Sequence, residues 1–433
     1  PDFSPEDIRY STVRYVASTT RNAMGPSVSD PRTGEIIESD IVWYHNHLRS
    51  YRNRYLLETA AANPSARTLF TPEEEIGEMM RQVIAHEIGH ALGLPHNMKA
   101  SSAYPVDSLR SGNFTQKFGI ATTIMDYARY NYVAQPGDEN IRFVRQLGPY
   151  DDYSIEWGYR YFGKSSEEEK EILKNFVDEK SLNPIYMFGG YGNDPNSQTE
   201  NIGDDPVKAS IYGINNLKIV AKNLKEWTVE PEENYNELEE LYGELIGVYR
   251  RYIYHVLNLV GGIYDTPHNE NQTGVVRYVN VDIHKQIEAL KFMEKNLWNT
   301  QNWLMDKSLI SQIKGEGILG SLQGLQLSAF NRLLSVSKLN RMLSAGESLE
   351  GNALSVKGLI DNLFETIVKK PESPDLSEQR LQIHFVERID ELMDEEKLNP
   401  SIKSLLLDAK NKIHKFAKKG GGSHYKYLKS ISE

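Results

Sequence analysis

His86-Glu87-Ile88-Gly89-His90-Ala91-Leu92-Gly93-Leu94-Pro95-His96 is the stretch on which the reading of this chain turns. Two histidines four residues apart on a helix project from one face a turn apart, so both imidazoles can reach a single ion. Glu87 is rotated from His86 by about 100° and points beside such an ion, where it can take a proton from water held there. Water on zinc ionises near neutrality, so a neighbouring carboxylate suffices as its base. Gly93 predicts the end of the helix, because a left-handed residue after the last turn reverses the chain and glycine adopts that conformation without a side-chain penalty. The reversal returns His96 to the metal. Three histidines leave one of zinc's usual four positions open, the pattern of a catalytic site and not of a closed structural one.

Upstream, Thr71 and Glu74 predict a capping box with Pro72 at the first helical position. The helix so started carries Ile76, Met79, Met80, Val83, Ile84, Ile88 and Ala91 at helical spacing as its apolar face. Two strands are expected before it, Ile8 to Ala17 and Ile36 to Trp43, the second entered through the turn cluster Asp30-Pro31-Arg32-Thr33-Gly34. Between them Met24 to Ser29 predicts a short edge strand interrupted by Gly25 and Pro26. Such an edge along the cleft would align an extended substrate by backbone pairing.

Downstream of His96, Thr123-Ile124-Met125-Asp126-Tyr127 resembles the Met-turn of metzincins, in which a methionine, here Met125, packs beneath the zinc-binding histidines. In the astacin and serralysin branches a tyrosine two residues after the methionine helps stabilise the oxyanion. By resemblance Tyr127 takes that position; the competing reading makes it a packed aromatic. Gly25 to Ile36 (GPSVSDPRTGEI), Gly93 to Ser101 (GLPHNMKAS) and Ile124-Met125-Asp126-Tyr127 together resemble a family of large bacterial zinc-dependent metalloproteases of the Met-zincin type. Leu147 to Ile155 similarly resembles the helix that closes a metzincin catalytic domain. The resemblance runs over residues 8 to 162. It implies a secreted or envelope-facing endopeptidase acting on protein or peptide substrates, with Zn2+ as cofactor on His86, His90 and His96 and Glu87 as general base. The implied fold is a twisted mixed sheet above the zinc helix, with a smaller lower subdomain around the Met-turn. Metzincins generally place further strands and a long backing helix before the strand matching Ile8 to Ala17, and the resemblance implies a catalytic domain lacking those parts here.

Composition sets the frame around these motifs. A chain of 433 residues predicts two or three domains, and 39% hydrophobic with 25% charged residues is an ordinary globular balance. Forty-nine basic against sixty acidic side chains leave a net charge of -11, the wrong sign for a nucleic-acid binder. No apolar run is long enough to span a bilayer, and the opening residues do not read as a signal segment. Without cysteine, a metal site must be built from His, Asp and Glu.

After Phe162 the chain changes to long amphipathic helices, placing a boundary near Gly163 to Ser166. The clearest has Leu238, Leu241, Tyr242, Leu245, Ile246, Tyr249, Tyr252, Ile253, Val256 and Leu257 at steps of three and four. Further helices are expected around Leu322 to Leu343, Leu354 to Val368, Leu381 to Met393 and Ile402 to Phe416, with loops over Gly189 to Asp205 and at Gly420 to Gly422. The fold class is therefore α+β: a catalytic domain over 1–163 and a mainly helical region over 164–433. Among other candidates, His45 and His47 lack a third ligand nearby, and Asp204-Asp205 before Pro206 predicts a helix cap. Tyr127, Tyr130 and Tyr132 either line a pocket or pack. Asn113-Phe114-Thr115 matches a glycosylation sequon that a bacterial chain would not ordinarily use. The alternative to a peptidase is a catalytically inactive zinc-containing module that docks a partner through its helices.

Overall fold

The structure is a computed structural model, which describes residues 3–190, 192, 194–230 and 234–433. Short strands come first: β1 (Val13–Val16), β2 (Ala23–Met24), β3 (Ser27–Ser29), β4 (Ile36–Ser39) and β5 (Ile41–Tyr44). β5 is central in a mixed three-stranded sheet, parallel to β1 with Val13 opposite Ile41 and antiparallel to β2 with Ala23 opposite Trp43. β3 and β4 form a separate antiparallel pair across the Asp30 to Gly34 turn, where the Gly34 N–H donates to the Asp30 carbonyl at 2.8 Å.

The single strand expected over Ile36 to Trp43 is thus two strands in two sheets. The break falls at Asp40, whose carboxylate accepts from the backbone N–H of Thr12 at 3.0 Å and from its hydroxyl at 2.7 Å. The strand expected over Ile8 to Ala17 narrows to β1, because the chain before it turns, with Tyr10 N–H donating to the Asp7 carbonyl. Met24 to Ser29 splits into β2 and β3 around Gly25 and Pro26, and β2 lies at a sheet edge.

Helices follow: α1 (His47–Thr59), α2 (Glu73–Ala91), α3 (Gly112–Phe118), α4 (Pro149–Tyr159), α5 (Ser166–Lys180), α6 (Pro206–Thr228) and α7 (Asn236–Leu257). The Thr71–Glu74 capping box does not form. Pro72, with ψ of 145°, is itself the residue before the first turn, which leaves Thr71 outside the cap, and no side chain caps the end. Glu73, Glu74 and Glu75 occupy the first turn, where negative charge is favoured by the helix dipole. The buried face also differs from the expected stripe. Met79, Gln82, Val83, His86, Glu87 and Gly89 are buried, whereas Ile88 is 44% exposed. α2 packs against β2, β4 and β5, and those contacts turn its polar residues inward.

Two compact units divide the chain. Pro1–Gly192, Asn196–Val248 and Pro267–Val275 form the first; Asn193–Pro195, Tyr249–Thr266 and Val276–Glu433 form the second. The change to helical character comes near Gly163, whereas α5, α6 and the first part of α7 group with the first unit. All ten residues of the predicted α7 stripe are buried. Asp205 caps α6 by accepting from Lys208 N–H at 3.0 Å, as its place before Pro206 predicts. The loop over Gly189 to Asp205 carries no helix or strand among its described residues; residues 191 and 193 lie outside them.

The second unit pairs β6 (Ile263–Asp265) with β7 (Tyr278–Asn280). Its helices are α8 (Ile283–Met293), α9 (Lys307–Ile310), α10 (Gly315–Leu333), α11 (Val336–Ser348), α12 (Val356–Leu363), α13 (Leu376–Asp394), α14 (Pro400–Ala417) and α15 (Ser423–Ile431). Phe330, Leu359, Phe385, Ile389 and Leu406 are completely buried in this unit. The helix expected over Leu322 to Leu343 is interrupted at Ser335, whose hydroxyl accepts from Lys338 N–H and starts α11 afresh. α12 continues into a wider turn over Phe364–Lys369. The whole is α+β, with small sheets and a large helical share.

Candidate metal centre

α2 ends as its sequence dictates. Gly93 has φ of 83°, its N–H donates to the His90 carbonyl at 2.9 Å, and the Leu94 N–H reaches back to the Gly89 carbonyl at 2.9 Å. This double closure is the Schellman arrangement that reverses a chain after a helix. It brings the His96 ring to 4.5 Å from that of His90 and 5.2 Å from that of His86, centroid to centroid.

The ring nitrogens are oriented by backbone. His86 Nδ1 lies 2.8 Å from the Ile124 carbonyl and His90 Nδ1 2.9 Å from the Leu94 carbonyl. A carbonyl only accepts, so both Nδ1 atoms carry the proton and both Nε2 atoms present a lone pair. One nitrogen from each of the three histidines lies within 4.8 Å of the others, and His90 Nε2 is 3.0 Å from His96 Nε2. Nitrogens 2.0–2.1 Å from a tetrahedral zinc ion stand roughly 3.3 Å apart. Donor type, the tautomers of His86 and His90, and the His90–His96 spacing fit that ion. Burial holds the His86 ring well below its usual pKa and pushes that of His96 down to about 4, the neutral form a ligand requires.

Glu87, next to His86 on α2, is 7% exposed. Desolvation pushes its carboxyl up to about 7, against the opposing effects of the Arg145 charge and the Gly25 N–H that faces it. Gly25 comes so close that a Cβ there would lie 2.6 Å from the Glu87 carbonyl oxygen. The interrupted edge segment from β2 to β3 thus passes directly beside Glu87.

Met125 is 1% exposed, and its sulfur fills the place where Gly89 lacks a side chain: a Cβ on Gly89 would be 2.2 Å from it. Asp151, in the first turn of α4, accepts from the Thr123 hydroxyl, the Ile124 N–H at 2.9 Å and the Gly148 N–H at 2.8 Å. Asp126 accepts from Ser101 N–H at 2.8 Å and Ala128 N–H at 2.7 Å; its burial pushes the carboxyl up to about 6. Asn97, fully buried directly after His96, accepts from Gly189 N–H, and its own N–H donates to the Met125 carbonyl. The Tyr127 ring lies 4.5 Å from that of His96 and 5.4 Å from that of His86.

A methionine packed against Gly89, between His86 and His90 on α2, is the feature by which the family can be checked. The sequence profile of the Met-zincin family matches residues 69–375. The chain belongs to that family. No curated protein and no solved structure matches it. Family membership supports metalloprotease character, and the histidine triad is the candidate zinc site within this Met-zincin.

Elsewhere in this Met-zincin, His45 Nδ1 bonds to the Tyr15 hydroxyl, and His47 stacks edge-on between Trp43 and Tyr51. Neither joins a metal cluster among the described residues. Tyr130 and Tyr132 are buried, and the Tyr127 ring lies against His86 and His96. Residues missed in the sequence are Gly89, Asn97, Arg145 and Asp151. Gly89 and Asn97 stood inside the quoted strings. Asp151 stood inside the Leu147 to Ile155 string, whereas Arg145 lay outside every string and reaches the centre only through folding.

Proposed function

We propose that this Met-zincin is a zinc-dependent endopeptidase acting on protein or peptide substrates. One arrangement supports the reading: three imidazoles converge, and Glu87, next to His86 in the chain, is buried. His86, His90 and His96 would hold a zinc ion, which supplies polarisation of the scissile carbonyl and a more acidic water. Glu87 takes the proton of the attacking water on its carboxylate and returns it to the leaving amine. Tyr127, against His96, turns its hydroxyl toward the developing oxyanion. The β2 edge and Gly25 backbone pair with an extended substrate, a role favoured by their place next to Glu87. These residues lie within 1–163, to which we assign catalysis, with residues 164–433 as its helical companion. The family resemblance favours a site of action outside the cytoplasm.

The test combines elemental analysis with casein digestion. One equivalent of zinc, cleavage lost on chelation and cleavage regained with added zinc are expected. Zinc uptake without cleavage of any substrate in a proteome-wide screen would instead favour the zinc-containing binding module. Absence of zinc uptake would sink both.

A further inference from the structure

Arg145 is 3% exposed and lies outside every motif that the proposed reaction uses. A buried guanidinium is costly unless its donors are satisfied; the Nε of this one has no hydrogen-bond partner among the described residues, and the partners of its Nη1 and of its backbone N–H are informative. The Arg145 backbone N–H donates to Gln82 Oε1 at 3.2 Å, and fully buried Gln82 stands on α2 one turn before His86. Arg145 Nη1 donates to the Ile124 carbonyl at 2.9 Å and to the Asp126 carbonyl, the two that flank Met125. The Ile124 carbonyl also accepts from His86 Nδ1. These contacts close a ring that leaves α2 at Gln82, passes through Arg145 to the Met-turn, and returns to α2 at His86. The adjoining bridge between Val144 and Tyr130 fixes the backbone from which Arg145 projects.

We infer that Arg145 is a positioning residue: it locks the Ile124 carbonyl, and through it the direction in which His86 offers Nε2 to the metal. The inference rests on the metal-centre reading above. A peptide plane in a loop can rotate, and an imidazole bonded to its carbonyl follows. One guanidinium nitrogen shared between two carbonyls two residues apart removes that freedom at both peptides. The rigid, always-charged fork of arginine suits this task. A lysine can also span two carbonyls, as Lys338 does in the second unit at Leu257 (3.4 Å) and Val260 (2.7 Å), so arginine's replacement by lysine should preserve part of the effect.

The test measures zinc affinity by chelator competition, and the visible absorption of the cobalt-loaded form, for the parent, Arg145→Gln and Arg145→Lys. Loss of an outer partner of a metal-binding histidine typically weakens metal binding about 10- to 100-fold. Arg145→Gln should fall in that range, with an altered cobalt band and unchanged far-ultraviolet circular dichroism of the apo protein, and Arg145→Lys should lie between it and the parent. A folded Arg145→Gln that binds zinc within about threefold of the parent, with the parental cobalt spectrum, overturns the inference and leaves the metal centre standing. Should Arg145→Gln not fold, Arg145→Met, which keeps the length of the side chain but none of its donors, is judged by the same threefold limit. A parent that takes up no zinc overturns the metal-centre reading itself, and this inference with it.

Discussion

α2 and α7 are helices of similar length, 19 and 22 residues, that bury opposite kinds of surface. The inward face of α7 is a continuous stripe of Leu, Ile, Val and Tyr, stabilising through non-directional removal of apolar area from water. The inward face of α2 includes Gln82, His86 and Glu87. Burying such groups is favourable only with partners, and the partners come from loops: the Ile124 carbonyl for His86, the Leu94 carbonyl for the half-buried His90, the Arg145 N–H for Gln82. A helix that holds the fold together can be specified by its own periodicity. A helix that holds chemistry is specified by what surrounds it.

The sharpest way to test that division is to remove function from α2 and stability from α7. Glu87→Gln should leave zinc content at the parental level while peptide hydrolysis falls by at least about two orders of magnitude, the usual contribution of a positioned base. Near-parental cleavage would assign the base to another group, and loss of zinc would make Glu87 a structural support. Leu245→Ala, in the middle of the α7 stripe and completely buried, should lower unfolding stability by about 2–5 kcal/mol in a denaturant melt. Zinc affinity of the folded Leu245→Ala protein should stay at the parental value; a coupled loss would erase the contrast between the helices.

The same division explains what could be read before folding. The α7 stripe, the Gly93 stop and the convergence of the three histidines each follow from spacing along one element, and the structure places them accordingly. The Met125 segment could be singled out by resemblance, yet what holds it in place could not. Asp151, though inside the Leu147 to Ile155 string, and Arg145 act across folded distances, and the role of neither has a local signal. The apolar face assigned to α2 came out rotated because packing against β2, β4 and β5, and not hydrophobic spacing, decides which side faces in. The Ile36 to Trp43 run reads as one strand because Ile36, Ile37, Ile41, Val42 and Trp43 favour extended backbone at both of its ends. Its division depends on Thr12 capturing the Asp40 side chain, a contact made only in three dimensions.

Smaller effects separate the helices by a single kind of substitution, glycine to alanine. In a helix interior, alanine is intrinsically favoured over glycine by about 0.5–1 kcal/mol, because less backbone entropy is lost on folding. At Gly89 that gain should be overturned. The new Cβ meets the Met125 sulfur, and Met125 is buried, with little room to move aside. Overpacking of this kind costs about 1–3 kcal/mol, so Gly89→Ala should be destabilised. Trimming the methionine in the double variant Gly89→Ala/Met125→Ala should yield a favourable coupling energy. Gly243, on the exposed side of α7, has nothing within 4 Å of the place an alanine methyl would take, so only the entropic term acts. Gly243→Ala should therefore raise stability by about 0.5–1 kcal/mol. Opposite signs at the two positions would show that the glycine under the metal centre is kept for the methionine's sake. Equal stabilisation at both would mean that Met125 adapts freely, and that the floor of the site is softer than its packing indicates.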